Sequence, residues 1–167
     1  MTPRPLLRPL TGEDAPALVT LNDAAHPAVP ITTADEMRAL LELAGLALGL
    51  ERDGALVGFV IAMHPGAAYA SENYRWFEQR GTGHVYVDRI VVAESERGRG
   101  LGPVLYDAVF AEARRLGHPE VTCEVNLDPP NPGSLAFHSR LGFVQVGTQA
   151  TKGGSVVVAL LAAPVPA

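Results

Sequence analysis

Arginine and glycine alternate over Arg97-Gly98-Arg99-Gly100-Leu101-Gly102, and Pro103 follows at once. Glycines let a backbone come close to a ligand, and two guanidiniums add positive charge. Pro103 suits the first turn of a helix, where a missing N–H leaves nothing unbonded. A helix starting there presents unpaired N–H groups and the positive end of its dipole to an anion. The chemistry implied is a phosphate cradle for a nucleotide-like cofactor. Upstream, Val85, Val87, Ile90, Val91 and Val92 form a β-branched run that reads as a strand. Downstream, Leu105, Val109 and Leu116, with Val104 and Ala108, make the apolar stripe of a helix that ends at Gly117. Strand, glycine turn and helix together position the cradle.

Three cofactor loops share this outline. A Rossmann loop requires Gly-x-Gly-x-x-Gly, and counting from Gly98 and Gly100 its third glycine falls on Pro103. Glu124 does lie about where a ribose-binding acid would stand. A Walker loop requires Gly-Lys-Ser/Thr, which the segment lacks. An acyl-CoA loop stays open beside them.

The chain has 167 residues, 47% hydrophobic and 19% charged, which fits one domain with a substantial core. Its formal net charge of −5 speaks against a nucleic-acid binder working by phosphate neutralisation. No apolar run approaches the ~20 residues of a membrane helix, and the N-terminus lacks a signal-peptide hydrophobic region. Cys123 is the only cysteine, so a reducing compartment, the cytoplasm, is expected. His26, His64, His84, His118 and His138 lack metal-ligand spacing, and no metal site is expected.

In chain order, Leu6 to Leu10 reads as a short strand. Thr11 caps a helix reaching about Ala25, and Thr33-x-x-Glu36 is a capping box for a second helix facing inward through Met37, Leu40, Leu41 and Ala44. Asp53-Gly54 joins two apolar runs, Leu46 to Arg52 and Ala55 to Met63, as a type I′ hairpin. The aromatic stretch between Gly66 and Gly83 reads as a long loop. Its Tyr69, Tyr74, Trp76 and Phe77 either line a substrate pocket or tie the loop to the core. Beyond the cradle helix, Glu120 to Asn126 alternates as a strand with Val121, Cys123 and Val125 on one face. Asn131 and Pro132 open a helix ending at Gly142, and strands follow over Phe143–Thr148 and Ser155–Leu161. The order β-α-α-β-β-β-α-β-α-β-β implies an α/β (α+β) fold: one mixed, mostly antiparallel twisted sheet of about seven strands flanked by four helices. Residues 1–162 are expected to form a single domain and 163–167 a flexible tail.

The residues 97–102 match the cofactor motif of the GNAT superfamily of acyl-CoA-dependent N-acetyltransferases: Arg or Gln, two residues, Gly, one residue, then Gly or Ala. A second GNAT pattern has Asn, a small residue three later, Tyr seven later and a closing Gly-Phe. Here it reads Asn131, Ser134, His138 and Gly142-Phe143, with histidine in the tyrosine's place. The chain thus resembles that family over nearly its whole length.

The resemblance implies acetyl-CoA as cosubstrate. Its pyrophosphate would lie on Arg97, Gly98, Arg99, Gly100, Leu101, Gly102 and Pro103. Its pantetheine arm would pair with the backbone of Ile90, Val91 and Val92 like an added strand. Asn131, Ser134 and Phe137 would complete the cofactor contacts. The reaction implied is direct attack of a primary amine on the thioester, which calls for a base and for stabilisation of the leaving thiolate. Asp88 and Glu124 are the base candidates; the family's acid on the cradle strand would align with Tyr86 rather than Asp88. His138 takes the tyrosine's place as candidate general acid. Tyr74, Trp76, Phe77 and Tyr86 are the candidate acceptor contacts. Cys123 invites a covalent intermediate, but its apolar strand face argues for an inert thiol. The acidic balance favours a cationic acceptor, a small-molecule or protein amine. Homodimers are common in the family. A non-catalytic acyl-CoA-binding or sensing module is the competing reading.

Overall fold

Alternating apolar runs, glycine turns and capped amphipathic segments resolve into seven strands and five α-helices in the computed structural model, which describes residues 2–167. The strands are β1 (Leu6–Pro9), β2 (Leu46–Arg52), β3 (Ala55–Met63), β4 (His84–Val92), β5 (Glu120–Asp128), β6 (Val144–Thr151) and β7 (Val156–Pro164). The helices are α1 (Ala15–Ala24), α2 (Ala34–Leu43), α3 (Glu72–Arg80), α4 (Leu101–Leu116) and α5 (Pro132–Arg140). The sheet order is β1-β2-β3-β4-β5-β7-β6. β4 and β5 pair in parallel, whereas β1–β2, β2–β3, β5–β7 and β6–β7 are antiparallel. The expected mixed, mostly antiparallel sheet is therefore present. The chain divides into two units, one made of the segment up to Met63 with Asp88–Ala108, the other of His64–Val87 with Val109–Ala167.

In the first unit, local chemistry sets the elements as the sequence implies. Thr33 and Glu36 form the reciprocal capping box at the start of α2, with Glu36 N–H donating to Thr33 Oγ1 (3.1 Å) and Thr33 N–H to Glu36 Oε2 (2.8 Å). Asp53 and Gly54 both adopt positive φ, 52° and 78°, which gives the type I′ turn between β2 and β3 its twist. Leu18, Met37 and Leu40 bury the inner faces of α1 and α2, and Phe59 to Met63 fill β3 with wholly buried side chains.

The second unit corrects two expectations. The stretch between Gly66 and Gly83, read as a loop, contains α3, so five helices rather than four accompany the sheet. Ser71 caps α3 by accepting from Tyr74 N–H (3.3 Å), and Gly81 ends it with φ 77°. Tyr74 and Phe77, three residues apart, share its buried face. The nine-residue helix is too short for a clear period, which is why composition alone suggested a loop. The second correction is at the C-terminus. β7 runs two residues into the expected tail: Ala163, buried, pairs with Val121, and Pro164 pairs with Glu120. Val165 N–H adds a bond to Pro119 O at 2.8 Å.

Gly147 sits at a register shift in β6 where α3 comes close. A Cβ there would lie 2.6 Å from Cζ2 of Trp76. A rigid indole cannot bend out of the way as an aliphatic chain tip can. Gly147→Ala is expected to destabilise the protein by about 1–3 kcal/mol through overpacking. Thermal unfolding followed by circular dichroism would show the loss, and an unchanged midpoint would mean that Trp76 yields freely.

Candidate active site

The cradle is built on the first unit. β4 ends at Val92, and Ala93 N–H is held by Val57 O at 2.8 Å. A single 3-10 turn over Glu94–Glu96 then delivers Arg97 to the glycines. Gly98 and Gly100 have φ of 75° and 77°, a left-handed conformation that side chains with Cβ rarely adopt. A Cβ built on either would meet nothing within 4 Å, so the glycines serve backbone shape beside open space. Gly100 O accepts Val104 N–H (3.4 Å), the first bond of α4. The N–H groups of Leu101 and Gly102 therefore belong to the turn that has no intrahelical acceptor. Pro103 has no N–H to offer and only shapes that turn. Open space, two left-handed glycines and a helix start fit the phosphates of acetyl-CoA.

Charge beside the cradle is balanced in part. Glu96, buried, receives Arg52 Nη2 at 3.1 Å and faces Arg99 Nη1 at 3.8 Å. Arg97 is exposed. Of the three residues expected to pair with the pantetheine arm, Val91 is buried and Ile90 and Val92 are half-buried.

Asp88, one residue before this segment's Arg89, has a side chain only 6% exposed, and its Oδ2 lies 3.4 Å from Arg89 Nε. Arg89 is itself buried. Its Nη1 donates to Asn22 Oδ1 (2.9 Å) and Thr32 Oγ1 (2.7 Å), tying the turn after α1 to β4. A guanidinium in the interior needs a nearby negative charge, and Asp88 supplies it. Arg89 escaped notice in the sequence, although one arginine inside a β-branched run is itself a sign of a buried partner.

The second unit brings together the other carboxylate and its neighbours. Tyr86 Oη donates to Glu124 Oε2 at 2.6 Å, within the range of a charge-assisted bond. The parallel pairing of Tyr86 with Thr122 sets this contact, because Glu124 lies two residues on and so on the same face. Tyr74 and Phe77 pack on Tyr86, with ring centroids 5.5 and 5.9 Å away. All three rings are buried. Tyr74 Oη donates to His64 O (2.7 Å) and accepts from Ala67 N–H (3.0 Å). Trp76 lies against Gly147 and Phe77. Tyr74, Trp76 and Phe77, expected either to line an acceptor pocket or to tie their segment to the core, pack α3 onto its own unit.

His84 joins the same layer. Its Nε2 meets Glu78 Oε1 at 2.8 Å and its Nδ1 meets Thr122 Oγ1 at 2.9 Å. Burial alone would raise the Glu78 carboxyl, but Gly66 N–H and His84 outweigh it and hold the group below the ordinary carboxylate range. Carboxylate, imidazole and hydroxyl in a row have the order of a nucleophilic triad. Thr122 is wholly buried, however, so the array braces α3, β4 and β5 and presents no nucleophile. Sequence reading missed it; its one signal was His84 standing two residues before Tyr86.

His138 is buried in α5 between Phe137 and Phe143, whose ring centroids lie 5.1 and 5.2 Å away. Its Nδ1 lies 2.7 Å from Ser134 O; a carbonyl only accepts, so Nδ1 carries the hydrogen. Burial pushes the ring's pKa below the ordinary histidine value, against a smaller upward pull from that bond. A neutral imidazole is thereby favoured, not the imidazolium expected of a general acid. Asn131 caps α5 as expected, accepting Ser134 N–H at 3.3 Å, while Phe137 is half-buried. Cys123 is buried beside Val121 and Val125. Among the described residues no group of three His, Cys, Asp or Glu side chains could hold a metal ion, and no helix is long and apolar enough to cross a membrane.

Comparison with known proteins adds to this geometry. Residues 16–143 match the model of the acetyltransferase (GNAT) family. N-alpha-acetyltransferase MAK3 of Arabidopsis thaliana is 31% identical over 85 residues, 51% of this chain, and the match spans 44% of that protein's length. Among solved structures, Ard1 from Thermoplasma volcanium superposes with a TM-score of 0.78 at 18% identity, covering 99% of this chain and 100% of that one. The putative acetyltransferase yncA from Salmonella typhimurium, solved with acetyl-CoA, has a TM-score of 0.71 at 20% identity, covering 99% and 96%. The ribosomal-protein-S18-alanine N-acetyltransferase from Escherichia coli has a TM-score of 0.73 at 18% identity, covering 98% and 95%.

Proposed function

Because this chain belongs to the GNAT family of acetyltransferases, we propose that it transfers an acetyl group from acetyl-CoA directly to an α-amino group, such as a peptide N-terminus, with Glu124 as the base. The observation that carries the reading is the Glu124 carboxylate held by Tyr86 Oη at 2.6 Å. A hydrogen bond donated to a carboxylate favours its ionised form, the form a base needs. Asp88 is the weaker candidate, since it balances the buried Arg89.

The base also bears on the acceptor. A carboxylate is a mild base and works best on an amine that gives up its proton easily. An α-ammonium titrates near 7.7–8.0 and a lysine ammonium near 10.4, so at pH 7 the α-amine is roughly a few hundred-fold richer in free base. Similarity to an N-alpha-acetyltransferase points the same way. Acetyl-CoA supplies a thioester, whose thiol leaving group, with a pKa near the ~8.5 of cysteine, departs readily without a strong acid. A neutral, buried His138 is compatible with that, and its part is then to pack α5. In this reading Gly98, Gly100 and the α4 N-terminus hold the pyrophosphate, Arg97 adds charge, and Asn131 caps α5, the helix of the second motif. We place the reaction in the cytoplasm, where acetyl-CoA is supplied and Cys123 stays reduced.

Thiol release from acetyl-CoA tests the reading. The acceptors are peptides with free N-termini, N-blocked peptides containing lysine, and small alkylamines. Turnover at pH 7 is expected to be highest on the free N-termini. Tight CoA binding without turnover on any amine would identify an acyl-CoA-binding module instead.

A further inference from the structure

We infer that Tyr86 is a positioning residue for Glu124: its phenol grips the carboxylate so that the base is presented ionised and in one orientation. The inference rests on the reading of Glu124 as the base. A glutamate has three rotatable side-chain bonds, and one half-buried on a strand can swing unless something anchors it. The anchor here is rigid. Tyr86 is wholly buried, its ring is wedged by Tyr74 in an edge-on contact and by Phe77, and Tyr74 is pinned by two backbone bonds at His64 and Ala67. Phenol oxygen and carboxylate thus meet at a point fixed by α3, β4 and β5 together.

The same arrangement reassigns Tyr86 from acceptor contact to support. A phenol has one hydrogen to donate, and Glu124 takes it. β7 presents Leu160 opposite Glu124, and α3 presents Tyr74 and Phe77. Glu78 of α3 is bonded to His84, α5 carries the His138 imidazole, and Asp88, two residues after Tyr86 on β4, lies beside Arg89. The hydrogen bond from Tyr86 favours the ionised form of Glu124.

The test is the pH profile of kcat, with acetyl-CoA and a free-N-terminus peptide both saturating, in wild type, Tyr86→Phe, Glu124→Gln and the double variant. Phenylalanine keeps the ring and loses the donor. The acid limb of Tyr86→Phe is expected to move up by about one pH unit, as loss of a hydrogen bond to the charged form requires. The KM for acetyl-CoA should stay unchanged. In the Glu124→Gln background, Tyr86→Phe should cost nothing further. A lower folded fraction scales the profile without shifting its limb, so partial unfolding does not mimic the effect. An unmoved limb in Tyr86→Phe, with Glu124→Gln inactive, would overturn the positioning role while leaving the base in place. Full activity of Glu124→Gln would instead overturn the base and the positioning role with it.

Discussion

Gly100→Asp is expected to abolish CoA binding and leave the fold standing. Gly100 has φ 77°, a conformation costing a residue with Cβ about 1–2 kcal/mol, and aspartate is among the residues that tolerate it best. Nothing beyond the flanking residues lies within 4 Å of the new Cβ, so no clash adds to that cost. The carbonyl that starts α4 by accepting Val104 N–H is untouched. What changes is the field. A carboxylate at the mouth of a phosphate cradle meets like charge, and two unit charges 4 Å apart near a protein surface repel by about 4 kcal/mol. Titration calorimetry should therefore show CoA affinity down by at least ~100-fold, with a melting temperature only a few degrees lower. Gly100→Asn separates the two effects, since it shares the backbone strain and lacks the charge; it should keep most of the affinity. Equal binding by Gly100→Asp and wild type would remove the cofactor from this loop.

Glu124→Gln is expected to lower kcat by about 10²–10⁴-fold, the usual worth of a general base. The amide still accepts the Tyr86 hydrogen through its Oε1, so the side chain keeps its place and the fold is unaffected. Binding of CoA, which rests on residues 97–103 in this reading, should not change. Thiol release under saturating acetyl-CoA measures kcat, and calorimetry measures the cofactor. In the same assay Asp88→Asn should keep most of its kcat in the fraction that folds, since Asp88 serves Arg89. The reverse outcome, an active Glu124→Gln and a folded but inactive Asp88→Asn, would transfer the base to β4.

Much of this molecule is legible in its residues alone. The hairpin at Asp53-Gly54, the box at Thr33 and Glu36, the cap at Asn131 and the glycine turn at Gly98 and Gly100 all appear where their residues required. Each depends on a few neighbouring dihedral angles or on a side chain reaching three residues along, so the information lies within a short window. For the same reason the order of elements led to the right sheet. α3 was the exception among local features, because its cap and closing glycine flank only nine residues, most of them polar or aromatic.

The roles of the side chains were decided elsewhere. Tyr86 and Glu124 are 38 residues apart, and Arg89 and Asn22 are 67 apart. Such pairs form only once strand register and helix packing have chosen which faces meet, and a slip of one residue would turn each to the other side of the sheet. Residue types alone therefore left Asp88 and Glu124 as rival candidates, Tyr74, Trp76 and Phe77 as either pocket lining or ties to the core, and Tyr86 as a candidate acceptor contact. Tertiary structure set Asp88 beside the buried Arg89 and Glu124 against the buried phenol of Tyr86, and it packed Tyr74 and Phe77 on that phenol. The glycine turn before α4 was legible because neighbouring backbone angles build it; the partners of Tyr86 and Arg89 were not, because long-range contacts set them.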